Sequence, residues 1–180
     1  AMVVEEGLTV QGKSLTEHQE AINHAEAFDY IQTLISKKRQ GITARDILDI
    51  HSIILNKIDD TDKGKYRTVA VRLRGSETIL PNPLKVPQLM DKFIAWLQSD
   101  ISDNPIKIAI DAHYRLVSIH PFSDGNGRMG RLWQSALLSH YHPLFEFAPV
   151  ESLIKERRQA YYKALALSDE LKRIGAWDDS

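Results

Sequence analysis

The sequence predicts an all-α domain, a compact helical bundle carrying one β-hairpin. Three observations lead there. Apolar residues recur at helical spacing in six separate segments, and one segment alternates instead. At 180 residues and 43% hydrophobic content, the chain also holds enough apolar surface for one core without a metal or disulfide scaffold. Its length corresponds to about one domain at the usual ~100–200 residues each. With no linker, internal repeat or low-complexity tract, the expected boundaries are 1–180, of which 1–13 is a lead-in.

The elements follow in order. The first helix is expected over 14–36, with Ser14 and Glu17 as a capping box and Ile22, Ala25, Phe28, Ile31 and Ile35 as its apolar stripe. Gly41 breaks the chain, and Thr43 caps a second helix with Ile47, Ile50, Ile54 and Ile58 on one face. Between Thr68 and Leu80, Val69, Val71 and Leu73 alternate with Ala70, Arg72 and Arg74 before Gly75-Ser76 punctuates the run, so 68–80 reads as a hairpin. A lone hairpin is marginal and has to lean on the helices. Its free edge is a liability or a docking surface. The third helix, after Pro83 and Pro87, carries Leu89, Met90, Phe93 and Leu97. The fourth opens with Asn104-Pro105 and is apolar on nearly all sides (Ile106, Ile108, Ile110, Leu116, Ile119), which predicts burial all round. The fifth, 126–140, has Met129, Leu132, Trp133, Ala136 and Leu137 at helical spacing, and a sixth is expected over 151–171.

Charge excludes more than it assigns. Lys and Arg number 23 against 24 Asp and Glu, so a protein that coats nucleic acid, which needs a basic excess, is not expected. The chain has no cysteine, which removes disulfides, thiolate metal sites and Cys nucleophiles together. No apolar run reaches the ~18 residues of a membrane span and no charged-then-apolar signal opens the chain, so a cytoplasmic protein without membrane contact is expected. Ala1-Met2 reads as a cloning remnant.

The informative stretch is 120–131, His-Pro-Phe-Ser-Asp-Gly-Asn-Gly-Arg-Met-Gly-Arg. Pro121 pushes the residue before it away from helical angles, so the fourth helix ends near Ile119 and leaves His120 at the tip of a core element. Asp124, Gly125, Asn126 and Gly127 tolerate left-handed backbone, and such a turn can aim successive N–H groups at one anion. It runs into the start of the fifth helix, whose free N–H groups and dipole also favour phosphate. Arg128 and Arg131 add two cations. Asp124 could hold a divalent metal, since phosphate-bound Mg²⁺ is gripped by only one or two carboxylates. His120, with an unperturbed pKa of ~6.5, suits general-base work near neutrality. A second reading of the same residues stays open: Asp-Gly and Asn-Gly are hairpin turns, the arginines a solvated face, and His120 a core histidine. The flanks speak against the hairpin, because they do not alternate.

Position for position, His120 to Arg131 resembles the HPFxDGNGRxxR signature of the Fic (filamentation induced by cAMP) family. Gly64-Lys65-Tyr66-Arg67 and the alternating segment resemble the family's flap, and Gln11-Gly12-Lys13-Ser14-Leu15 with Glu20-Ala21-Ile22-Asn23-His24-Ala25 resembles the start of its core. The resemblance covers nearly the whole chain. It implies the Fic fold and transfer of AMP from ATP to a Tyr, Thr or Ser hydroxyl of a target protein, with release of pyrophosphate. It implies His120 as catalytic base, Asp124 as ligand of a Mg²⁺ ion, and Gly125, Asn126, Gly127, Arg128 and Arg131 as phosphate-binding residues. It further implies Tyr162 beside the adenine, although the position seven further on, often Asn, is Asp169. The flap implies target docking by strand addition along Val69, Ala70, Val71, Arg72, Leu73 and Ile79. Family relatives often form homodimers, but no stripe here specifies one.

Members with an inhibitory helix carry a Ser/Thr, three residues, then Glu and Gly/Asn. Glu6-Gly7 matches the end of that motif, but Met2 stands at its Ser/Thr position and the match lies too close to Gly12-Lys13-Ser14. The expectation is therefore an inhibitory helix upstream of the residues given. The same signature also fits transfer of UMP or phosphocholine, or removal of AMP. From another class stands a non-catalytic peptide-binding module that uses only the flap. A metal hydrolase is disfavoured by the histidine spacings, and His18, His24 and His51 read as helix-face or capping residues.

Overall fold

A computed structural model describes residues 14–38, 41–73, 78–99, 104–146 and 156–173. Six α-helices are present there: α1 (Leu15–Lys38), α2 (Ala44–Ile54), α3 (Val86–Gln98), α4 (Pro105–Ile119), α5 (Asn126–Tyr141) and α6 (Arg158–Arg173), with short 3-10 turns at Pro83–Lys85 and Pro143–Glu146. Each falls where the periodicity expects a helix. The start of the expected sixth helix, 151–155, lies outside the described residues, as does the lead-in 1–13.

Local signals set the boundaries. Both capping boxes form: Glu17 N donates to Ser14 Oγ while Ser14 N donates to the Glu17 carboxylate, and Thr43 and Asp46 reciprocate in the same way. Asn104 accepts the Ile106 N–H ahead of Pro105, so α4 starts with its first donors satisfied. α2 stops earlier than its apolar stripe predicts. It ends at Ile54, and a turn with Lys57 at φ 59° leaves Ile58 beyond the helix, only partly buried. Asn23 explains the stop, since its side-chain amide donates to the carbonyls of Ile54 and Asn56, two acceptors a longer helix would use itself.

The core joins α1, α2, α3, α4 and α5, with Trp133, Phe93, Phe122, Leu116 and Met129 among its largest fully buried side chains. α4 and α5 make the most extensive helix pair. Their close approach needs Gly130, where an added Cβ would sit 3.0 Å from Val117 Cγ1. Two sequence expectations fail in detail. α4 is not buried all round, because Ile106 and Ile110 are about half exposed while Ile108, Ala112 and Leu116 face the core. On α1 the buried stripe is Asn23, Ala27, Ile31 and Ile35, and Ile22 and Ala25 face outward.

The expected hairpin lies only partly within the described residues. Residues 68–73 and 78–80 carry no regular secondary structure and form no ladder with one another, and 74–77, where its turn would be, lie outside the described residues. On each side of that gap one backbone carbonyl is held by a buried side chain. Arg67 donates from Nη1 to Val69 O and from Nη2 to Pro81 O. Among the described residues no helix is long and apolar enough to cross a membrane.

Candidate active site

The α4–α5 connection builds a cavity of about 280 Å³ lined by His120, Ser123, Asp124, Gly125, Asn126, Gly127, Arg128 and Arg131. His120 terminates α4 in the left-handed conformation, φ 51° and ψ 60°, unusual for a residue with a side chain. Pro121 forbids the next helical turn, and the kink sends the imidazole out over the start of α5. His120 Nδ1 lies 3.4 Å from Val117 O. Only a protonated nitrogen can donate to that carbonyl, which leaves Nε2 with its lone pair. Burial lowers the His120 pKa from its ordinary value; the contact with Val117 opposes that shift, and the Arg67 charge adds to it. The imidazole is therefore neutral at neutral pH.

Gly125 turns the chain into α5 with φ 84°, a conformation a Cβ would strain. No side chain caps this helix, and the first donor used within it is Met129 N to Gly125 O. By helix geometry the N–H groups of Asn126, Gly127 and Arg128 lack intrahelical acceptors and collect at the cavity. The Asn126 side chain does something the sequence reading did not foresee. It is buried and clamps the loop, its Oδ1 accepting Phe122 N (2.9 Å) and its Nδ2 donating to Phe122 O (2.8 Å). What Asn126 offers an anion is thus its main chain.

The cations are held differently from each other. Arg128 donates to Glu20 Oε1 on α1 (3.1 Å) and to Asp124 Oδ2 (2.8 Å), so α1 reaches the site through a residue not singled out in the sequence for that role. Arg131 folds back over the helix start, its Nη1 3.0 Å from where a Cβ on Gly127 would lie. Asp124 Oδ1 accepts Gly125 N, and its carboxylate is largely exposed at the cavity edge. Among the described residues no three His, Cys, Asp or Glu side chains cluster to hold an ion. A lone exposed carboxylate fits an ion that arrives on a polyphosphate, with phosphate oxygens and water filling its other positions.

Three supports lie beneath the loop. His51, fully buried on α2, accepts Gly64 N at Nδ1 (3.0 Å) and donates from Nε2 to Asp124 O (2.9 Å). Its ring stacks on one side of Phe122 at 3.6 Å and 5°, and Tyr66, the second support, tilts against the same Phe122 at 5.9 Å. Burial lowers the His51 pKa, consistent with one nitrogen accepting and one donating. The signal available in the sequence was a histidine on the apolar face of α2. Arg67 is the third support, described further below. The structure does not bring every expected residue to the cavity. Tyr162 on α6 is half exposed, edge-on to Tyr161 at 5.3 Å, and is not among the lining residues. Asp169 instead ties α6 to its neighbours, accepting Tyr114 Oη (2.9 Å) and Thr78 Oγ1 (3.1 Å). Val69 and Ile79 in the expected docking segment are exposed, Ile79 at 94%.

Known proteins share this arrangement. The model of the Fic/DOC family matches residues 41–138. A protein adenylyltransferase Fic of Culex quinquefasciatus is 36% identical and one of Aedes aegypti 37% identical, each over 93% of this chain. The chain spans about a third of the length of these curated relatives, 33% in both. Among solved structures, a Fic family protein from Desulfovibrio desulfuricans superposes with a TM-score of 0.71 at 32% identity, covering 84% of this chain and 46% of that one. Fic-1 from C. elegans gives 0.71 at 31% identity over 92% of this chain and 48% of that one. With the family model matching more than half of its residues and the HPFxDGNGRxxR loop seated between α4 and α5, the chain belongs to the Fic/DOC family.

Proposed function

We propose that the chain is a protein adenylyltransferase domain, a nucleotidyltransferase that moves AMP from ATP to a Tyr, Thr or Ser hydroxyl of a target protein and releases pyrophosphate. The observation that carries this reading is His120 at the lip of a cavity whose floor is an uncapped helix N-terminus flanked by Arg128 and Arg131. The relatives named protein adenylyltransferase Fic support it.

In this reading the main-chain N–H groups of Asn126, Gly127 and Arg128 hold the phosphates, with Gly125 shaping the turn that aims them. Arg128 and Arg131 neutralise the β- and γ-phosphates, for which the Arg128–Asp124 pair has to open. His120 Nε2 takes the hydroxyl proton as the oxygen bonds to the α-phosphorus, and the bond from that phosphorus to the pyrophosphate oxygen breaks. Asp124 would hold Mg²⁺ brought with ATP, an ion whose chemistry is to offset charge on the departing pyrophosphate. Such transfers depend mostly on position and electrostatics, which suits a site built from backbone and two fixed cations. Tyr162 as adenine neighbour, and Val69, Ala70, Val71, Arg72, Leu73 and Ile79 as target-docking residues, complete the proposal. So does a single domain over 1–180.

Incubation of the chain with a protein acceptor and ATP labelled at the α-phosphate tests it. His120→Ala is expected to lower labelling by ~10²–10⁴-fold, the usual value of a general base. Undiminished labelling by that variant would overturn the assignment. Calorimetry with UTP and CDP-choline beside ATP, each with Mg²⁺, decides which phosphate-containing group is carried.

A further inference from the structure

We propose that Arg67 is a positioning residue that locks the two arms 68–73 and 78–81 to the catalytic histidine. The inference rests on the adenylyl-transfer reading for its consequence but not for its geometry. Arg67 is buried, 3% exposed, immediately before the segment. Its guanidinium donates from Nε to His120 O (2.6 Å), from Nη1 to Val69 O (3.1 Å) and from Nη2 to Pro81 O (2.7 Å). Its own N–H donates to Pro121 O (2.9 Å). One planar group therefore touches both arms of the segment and the main chain of the catalytic residue at once.

Each of those three side-chain acceptors is a neutral carbonyl. Desolvating a guanidinium against neutral carbonyls is an expensive way to gain stability, whereas five rigid donors in one plane are well suited to fixing three strands of chain relative to each other. The position reinforces the point. His120 O belongs to the C-terminal end of α4, where the helix dipole favours a cation. The left-handed conformation of His120 needs outside support, and the Arg67 bonds to residues 120 and 121 supply it on both sides of that peptide. A target segment laid along residues 69–73 would then meet the His120 ring at a distance set by Arg67, not by the segment's own stiffness.

The test uses Arg67→Lys, which keeps the charge but replaces the fork by a single ammonium that cannot reach three carbonyls in one plane. Hydrogen exchange of the whole chain is compared between wild type and variant. Concerted loss of protection at the Arg67 N–H, bonded to Pro121 O, and at 118–120, where His120 N bonds Leu116 O, with α2 and α3 unchanged, is expected. Loss confined to residues 66–68, or global loss through α2 and α3, overturns the proposal. In the transfer assay, kcat/KM for a protein acceptor is expected to fall at least tenfold while the Kd for ATP with Mg²⁺ stays within twofold. An equal loss of ATP affinity, or acceptor labelling within twofold of wild type, also overturns it. If wild type itself transfers nothing, the transfer reading fails, and the exchange data still decide whether Arg67 couples the two regions.

Discussion

Two regions meet at His120 and are built on opposite plans. Loop 120–125 is held from every side: Asn126 clamps Phe122, His51 grips Asp124 O, and Phe122 is fully buried between His51 and Tyr66. Segment 68–73 with 78–80 is held at its root by Arg67 and at Thr78 by Asp169, while Val69 and Ile79 stand exposed. Under the proposed function, chemistry that depends on ångström-scale placement falls to the first, and recognition of a variable partner falls to the second. Hydrogen bonds and ring contacts are concentrated on the loop to which the proposed transfer assigns the phosphorus atom.

The contrast can be broken hardest at Asn126. Asn126→Ala strands the buried N–H and C=O of Phe122, each worth ~1–3 kcal/mol when unpaired, so a stability loss of about 4 kcal/mol is expected in urea unfolding. A loss below 1 kcal/mol would mean the loop is not supported in this way. Acid is the next lever. Burial foremost, then the Arg131 charge, lower His113 to a pKa of about 4, with its Nε2 against Tyr161 Oη at 2.8 Å. Below pH ~6.5 the unfolded chain binds a proton that the folded chain refuses. Stability is therefore complete above that pH and falls as pH drops towards 4, by about 3 kcal/mol from His113 alone. The lowered pKa values of His51 and His120 add in the same direction. Denaturant midpoints across pH 4–7 measure this, and a flat profile contradicts it. The smallest effect on the fold is expected at the other region. Ile79→Ser, on a side chain 94% exposed, should change stability by less than ~0.5 kcal/mol while raising KM for a protein acceptor several-fold. A destabilised variant with normal acceptor KM would assign Ile79 to folding instead of recognition.

The helices were legible because caps and apolar spacing are local. Thr43 with Asp46, and Asn104 before Pro105, start their helices with partners two or three residues away. The site was legible as a list of residue types but not as a mechanical object. Arg67 meets His120 across 53 positions and His51 meets Asp124 across 73, separations at which no spacing rule operates. Asn126 illustrates the limit most sharply. Its residue type suits phosphate, yet the side chain is occupied by Phe122 four positions back. The alternating segment shows a related limit. Period two is silent about Arg67, just outside the pattern, whose guanidinium holds Val69 O and Pro81 O.

The flat contact of His51 on Phe122, 3.6 Å between ring centres, has a use in the spectrometer. A ring lying over another at that distance feels its circulating π-current, so the carbon-bound imidazole protons of His51 should resonate well upfield of ordinary histidines. The loop thereby carries its own optical-free gauge: any ligand, pH or substitution that lifts Phe122 off α2 would announce itself as a return of those signals to ordinary chemical shift.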